Sequence, residues 1–427
     1  MQLIDLTLAP RDLETLLVRR RHHDAGVESR VREILDAVRN DGDVAVTNYA
    51  RQLDCRFIDS LGLRVTKQEC VSAYDNVGKK FLKALRLART NITRFHKKQK
   101  PASLILKDKG MKLTHRVRAL DRVGIYIPGG KAAYPSTVLM NAIPAGIAGV
   151  AEIAMMTPCN AEGKINPEVL VAASECGITE IYRIGGVHAI GALAFGTESI
   201  RKVDKITGPG NAYVTAAKRR VFGEVGIDSL AGPTEVVVVA DGGAEPAFVA
   251  ADLIAQAEHD EEASPVCIVV DRAMAQRVEL EIAMQLEKAE RKAIARRSLD
   301  QHGAIIVAGS IRQAADVVNA IAPEHLEVMV KNPDRFAARI RNAGAIFVGP
   351  WSTEALGDYI VGTNHTLPTN GTARFASPLG VHDFVKWSNI VEVSRRRFEK
   401  LGPAVEVLAL AEGLDGHASS VRIRRKT

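Results

Sequence analysis

The segment ADLIAQAEHDEEAS, residues 251–264, begins as an apolar helix and then gathers Gln256, Glu258, His259 and Asp260, groups able to hold a metal or a proton. Gln256 and His259 stand one helical turn apart and so project from one face, where an amide oxygen and an imidazole nitrogen supply two corners of a metal site. The acidic run EHDEE by itself fits a solvated helix end equally well. A second segment, NAIAPEHLEVMV (319–330), sets Glu324 and His325 between a helical stretch and an apolar strand. Imidazole titrates near neutrality, with an ordinary pKa of about 6.5, and a neighbouring carboxylate can orient a water, so the pair suits proton transfer. The ordinary alternative for two polar residues in a loop is solvent exposure.

A third segment, STEALGDYIVGTNHTLPTNGTARFASPLG (352–380), carries Asp358, Asn364 and His365 among glycines, prolines and threonines. Compact domains seldom keep irregular loops longer than about 12 residues unless they function, and this one is too apolar for a linker. Two glycine turns, IGGVHAIGALAFG (184–196) and TGPGNAYVTAAK (207–218), each follow a candidate strand and open a helix. Helix-start amides of that kind can hold a phosphate. Neither turn is GxGxxG, and each alone also fits a tight β–α turn. Together with YIPGGKAAYPSTVLMNAIPA (126–145) they favour a cofactor domain.

The elements that must position these residues alternate. Apolar runs at 123–128, 152–158, 180–186, 205–207, 235–241, 266–271, 304–309, 326–330 and 345–349 read as strands, with helical stretches between most of them. Such alternation predicts βαβ units and parallel sheets. A chain of 427 residues exceeds one core, so we expect two parallel-sheet, incomplete Rossmann-like domains with helical appendages at both ends. The expected division is 1–24, an N-terminal helical arm; 25–122 with 235–380, a first α/β domain carrying the metal and catalytic residues; 123–234, a second, NAD-binding domain; and 381–427, a helical tail.

No apolar run is long enough to span a bilayer, and the N-terminus carries acids where a signal peptide needs bases, so a cytoplasmic protein is expected. Five scattered cysteines lack any CxxC spacing and read as reduced thiols. The net charge of +7 is spread over separated basic clusters without interleaved aromatics, which argues against nucleic acid as a partner.

In order and spacing, YIPGG, STVLMNAIPA, GPGNAYVTAAKR, AGPTEV, DLIAQAEHD, APEHLEV, GDYIVGTNHTLPTNGTARF and the tail AEGLDGHASSVRIR resemble the histidinol dehydrogenase family over nearly the whole chain. That resemblance implies a homodimer with one zinc per subunit that oxidises L-histidinol through L-histidinal to L-histidine and consumes two NAD. It implies zinc ligands Gln256, His259, Asp358 and His417; His325 as base and Glu324 as the residue that activates water; Thr234, His365 and Glu412 with the ligands and His325 around the substrate; and Tyr126, His188 and Asn211 near NAD. It also implies that the tail reaches the partner's site. The chain departs from the family where GGVHAI, with His188, replaces an expected glutamine turn, which leaves cofactor affinity the least secure inherited property. A related zinc and NAD dehydrogenase acting on another amino alcohol or a sulfonated diol is the competing expectation.

Overall fold

The computed structural model describes residues 1–8, 25–129 and 133–426. Most of the expected 1–24 arm therefore lies outside the described residues, and its first residues form a strand, Gln2–Asp5, rather than a helix. The chain divides into two compact units, Met1–Gln99 with Leu120–Phe384, and Lys100–Ala119 with Val385–Thr427.

The larger unit holds two parallel sheets. Glu235–Ala240, sequence EVVVVA, is buried along its whole length because both faces of its sheet are covered, which is why it reads as an unbroken apolar run instead of an alternating one. Val236 and Val238 enter one core, with Leu253 and Val278, while Val237 and Val239 enter another, with Val318 and Phe336. Across this sheet the strands run Gln2–Asp5, Ala304–Val307, Ser264–Val269, Glu235–Ala240, His325–Met329, Ala345–Val348. Numbered in chain order from Glu235, the last five follow 3-2-1-4-5, and all pairings are parallel.

The second sheet repeats that order with Glu180–Tyr182, Glu152–Met156, Arg122–Tyr126, Lys205–Thr207 and Gly226–Ile227. Both are the dinucleotide-fold order without its sixth strand among the described residues. The expected incomplete Rossmann-like sheets are present.

The helices of 25–99 depart from the expected division. Val31, Ile34, Leu35 and Val38 of helix Ala25–Leu53 pack with Ala154, Met156 and Ile190, and Leu85, Ala88 and Ile92 of helix Lys79–His96 pack with Ile125, Met155 and Leu139. They pack on the second sheet's own helices, the first on Gly186–Phe195 and Ala212–Val221 and the second on Pro135–Ala148, whereas they were expected with residues 235–380. Amphipathic helices bury their stripe on whatever apolar surface is left open, here the outer side of those helices.

The smaller unit is a three-stranded antiparallel sheet, Val385–Val393, Met111–Ala119 and Leu104–Asp108 in that order, with helices Arg395–Ala411 and Asp415–Lys426. Of the expected tail, 381–427, Val381–Phe384 is a short 3-10 turn of the larger unit and the rest opens on a strand, and the hairpin of 104–119 belongs with that strand instead of with the first domain. All five cysteines are free thiols.

Candidate active site

Glu324 and His325 stand where a left-handed residue, Ala322 at φ 52°, ends helix Ile311–Ile321 and the chain turns into strand His325–Met329. His325 lies beside Val236 in the sheet register, so Thr234 and Glu235 meet it from the next strand. Both residues are buried: Glu324 is 7% exposed and His325 2%. The two polar residues of APEH are therefore not a solvated loop.

His325 Nδ1 lies 3.1 Å from the Glu235 carbonyl oxygen, to which it donates. Its Nε2 then faces Asp358 Oδ1 at 3.5 Å, while Glu324 and Glu354 stand 3.7 and 3.8 Å from Nδ1. Burial opposes the charged ring, but the carboxylates of Glu354, Glu324 and Asp358 outweigh it and raise His325 well above the ordinary imidazole range. Glu324 moves up as well, to about 7, because burial exceeds the opposing effects of His325, the Thr234 hydroxyl and the Glu235 amide. A carboxyl group raised to about 7 and an imidazole whose proton the surrounding carboxylates favour are thus held side by side.

Glu324 Oε2 lies 2.7 Å from Thr234 Oγ1 and accepts from the Glu235 amide at 3.0 Å. Gln256, fully buried, faces the same hydroxyl. With its oxygen toward Thr234 Oγ1 (2.6 Å) and Glu235 N (2.9 Å), its NH2 donates to Glu354 Oε1 at 2.6 Å.

Ligand atoms of His325, Glu354 and Asp358 all lie within 4.8 Å of one another. Of the expected zinc ligands, Asp358 belongs to this group, and His259 is close enough for its charge to act on Asp358. Burial pushes His259 down, which favours the neutral imidazole that a metal would need. Asp358 stays below the usual carboxylate range although burial acts against it, because His325 hydrogen-bonds and attracts it and His365 and His259 add to the attraction. A deprotonated carboxylate, a neutral imidazole and an amide are donor types that fit a zinc ion. His365 is held by the Asp358 carbonyl at Nδ1, 3.0 Å, and faces Thr137 Oγ1 from Nε2 at 3.2 Å, so helix Pro135–Ala148 of the second sheet reaches the group. Glu412 and His417 lie in the smaller unit and are exposed.

A layer of acids beneath the site was not anticipated. Glu354 precedes Asp358 by four residues on one helix, Asp252 precedes Gln256 by four on another, and Glu327 follows His325 by two on the strand. Each acid therefore lies one structural repeat from a site residue, and that spacing was the available signal. Glu327 Oε1 accepts the Glu354 amide at 2.6 Å, and its carboxyl faces that of Asp252. Burial first, then the Asp252 charge, raises Glu327 to about 9, and burial raises Glu354 to about 8. Two facing carboxyls without a cation between them share a proton.

The expected cofactor residues gather at the carboxyl ends of the second sheet's strands. Tyr126 ends strand Arg122–Tyr126, and Gly208 follows the neighbouring strand Lys205–Thr207, at the point where the chain order reverses. Asn211 caps helix Ala212–Val221 by accepting from Val214 N at 3.1 Å, and Tyr126 accepts from Gly186 N at 3.0 Å. His188 is turned inward: it is 1% exposed, its Nε2 lies 2.8 Å from Asp54 Oδ2, and it stacks on Tyr49. Burial and pairing account for the imidazole where an amide was expected.

The chain matches the family model described as histidinol dehydrogenase over residues 17–425. A histidinol dehydrogenase of Gluconobacter oxydans is 51% identical over 414 residues, covering 97% of this chain and 96% of that one. Another, of Geobacter metallireducens, is 49% identical over 430 residues, covering 100% and 98%. The crystal structure of histidinol dehydrogenase from Elizabethkingia anophelis superposes with a TM-score of 0.94 at 38% identity, covering 100% of this chain and 98% of that chain.

Proposed function

This chain belongs to the histidinol dehydrogenase family and is an oxidoreductase that oxidises L-histidinol in histidine biosynthesis; we propose that it does so through L-histidinal to L-histidine with one zinc and two successive NAD. The observation that carries this reading is the buried Glu324–His325 pair beside Asp358, with Glu324 raised to about 7.

Zinc, held by Gln256, His259, Asp358 and the partner copy's counterpart of His417, would fix the substrate's imidazole and amine as a template. NAD, near Tyr126, His188 and Asn211, would accept hydride from the alcohol carbon and then from the hydrated aldehyde. The protein's own groups handle the protons. In its neutral form His325, with Nδ1–H fixed on the Glu235 carbonyl, offers Nε2 as the base that takes the hydroxyl proton in the first oxidation. Glu324, pinned by Thr234 and the Glu235 amide, activates the water that must add to the aldehyde, and His325 takes a proton again. Thr234 and His365, with the partner copy's counterpart of Glu412, complete the substrate site. The region 235–380 thus carries the metal and proton chemistry, 123–234 the cofactor, and 381–427 the residues lent to a second subunit of a cytoplasmic homodimer.

Product analysis tests the reading: two NADH per histidinol, abolished by chelator and restored by zinc, is expected. One NADH with histidinal accumulating, or equal turnover of unrelated alcohols, would favour the related dehydrogenase of another substrate.

A further inference from the structure

The turn Gly208–Asn211 is fastened from beneath by a buried ion pair that the proton chemistry does not use. Lys218, on helix Ala212–Val221 and with a side chain 2% exposed, donates from Nζ to the Gly208 carbonyl at 2.9 Å and pairs with Asp228 Oδ1. Asp228, 3% exposed at its side chain, accepts from the Gly208 amide at Oδ2, 2.8 Å. The two side chains therefore hold both polar groups of a single residue.

That residue has no substitute. Gly208 sits at φ +115°, and a Cβ there would lie 2.1 Å from the Tyr126 carbonyl oxygen. Taking a lysine and a carboxylate out of water costs more than their attraction returns unless other hydrogen bonds complete the arrangement. Here the completing bonds all go to Gly208. An apolar pair would serve the core at least as well, so what the charges add is a turn of fixed shape. Gly208 leaves the fourth strand beside the end of the first, where a fold of this order holds its dinucleotide. A turn ordered in advance need not be ordered on binding.

We propose that Lys218 and Asp228 are positioning residues that preorganise Gly208–Asn211 for NAD without contacting it. The proposal rests on the reading that NAD binds at this turn.

The test uses the zinc-loaded enzyme. Lys218→Met with Asp228→Asn removes the charges together and leaves no orphan ion. Losing a buried charged hydrogen bond should raise the KM for NAD about tenfold or more, with the KM for histidinol and kcat at saturating NAD within about twofold. Residue-resolved hydrogen exchange on the wild-type protein supplies the second measurement, so a variant that fails to fold does not end the test. Before NAD is added, the Gly208 amide should exchange as slowly as that of Ile206 in the strand. An unchanged KM for NAD, an equal rise in both KM values, or a Gly208 amide that exchanges freely until NAD arrives would overturn the proposal. A misplaced cofactor site gives a different pattern: NAD then alters exchange neither at 185–190 nor at 208–212. If only the clamp is wrong, NAD alters 185–190 while Gly208 exchanged freely beforehand.

Discussion

His325 owes its role to what surrounds each nitrogen. The Glu235 carbonyl takes the Nδ1 proton and leaves Nε2 as the base, so His325→Asn, which keeps a polar group but loses that base, should lower kcat by roughly 10²–10⁴-fold while NAD binding stays nearly intact. Glu324→Gln should instead spare the first oxidation and slow that of histidinal, because only the second step consumes water. Stopped-flow rates with histidinol and with histidinal separate the two, and equal slowing of both half-reactions in both variants would sink the role assignments. For the metal, His259→Ala deletes one neutral imidazole donor and should leave the purified protein with zinc bound at least about tenfold more weakly. Zinc retained at wild-type affinity would strike His259 from the ligand set. At this scale the sequence was readable wherever a motif put two reactive groups together, as in APEH. It was silent where a residue's partner is distant in the chain, as for His188 and Asp54.

Elements set the distances between these groups. Helix Pro246–Ala257, strand His325–Met329 and helix Glu354–Tyr359 each bring one site residue and, one repeat away, one acid. Glu327 ties all three, through the Asp252 carboxyl and the Glu354 amide. Its folded pKa of about 9 lies above the ordinary 4.5, so the folded state binds this proton more tightly than the unfolded chain does. The stabilisation is complete below 4.5 and is lost as pH rises through about 9. Glu327→Gln substitutes an N–H for the shared proton and does not titrate. Its Tm should therefore fall less than the wild type's between neutrality and pH 9, as thermal melts across that range would show; parallel curves would remove the shared proton. The strands bearing the site were legible because burial on both faces makes them continuous apolar runs. The hairpin of 104–119 was missed for the opposite reason. Leu104, Ile105 and Leu106 are exposed, and Met111–Ala119 alternates apolar with charged residues on a sheet that has no deep core. Its two-residue period was present, in a stretch flanked by helical texture.

For the whole molecule, the question is what completes the smaller unit. Val407, Leu408, Leu410 and Ile423 are at least half exposed on its two helices, and Glu412 and His417 lie at the bend between them. A unit of this size buries too little apolar surface to leave such side chains in water without a partner. From the resemblance in the tail motif AEGLDGHASSVRIR we propose that this partner is a second copy, with Glu412 and His417 lent to its site. The consequence is testable by mixing two dead variants, His325→Ala and His417→Ala, after refolding them together. If the tail serves the other subunit, each heterodimer contains one site with both lesions and one with neither. Random pairing makes about half of all dimers heterodimers, so activity should return to roughly a quarter of the wild-type level per site, a fraction that follows from mass action. If the tail serves its own subunit, every site carries one lesion and the mixture stays inactive. A tag on one variant, used to isolate the heterodimer, makes the outcome decisive: a pure heterodimer without activity would return His417 and Glu412 to their own subunit's site, and a half-active one would establish the exchange.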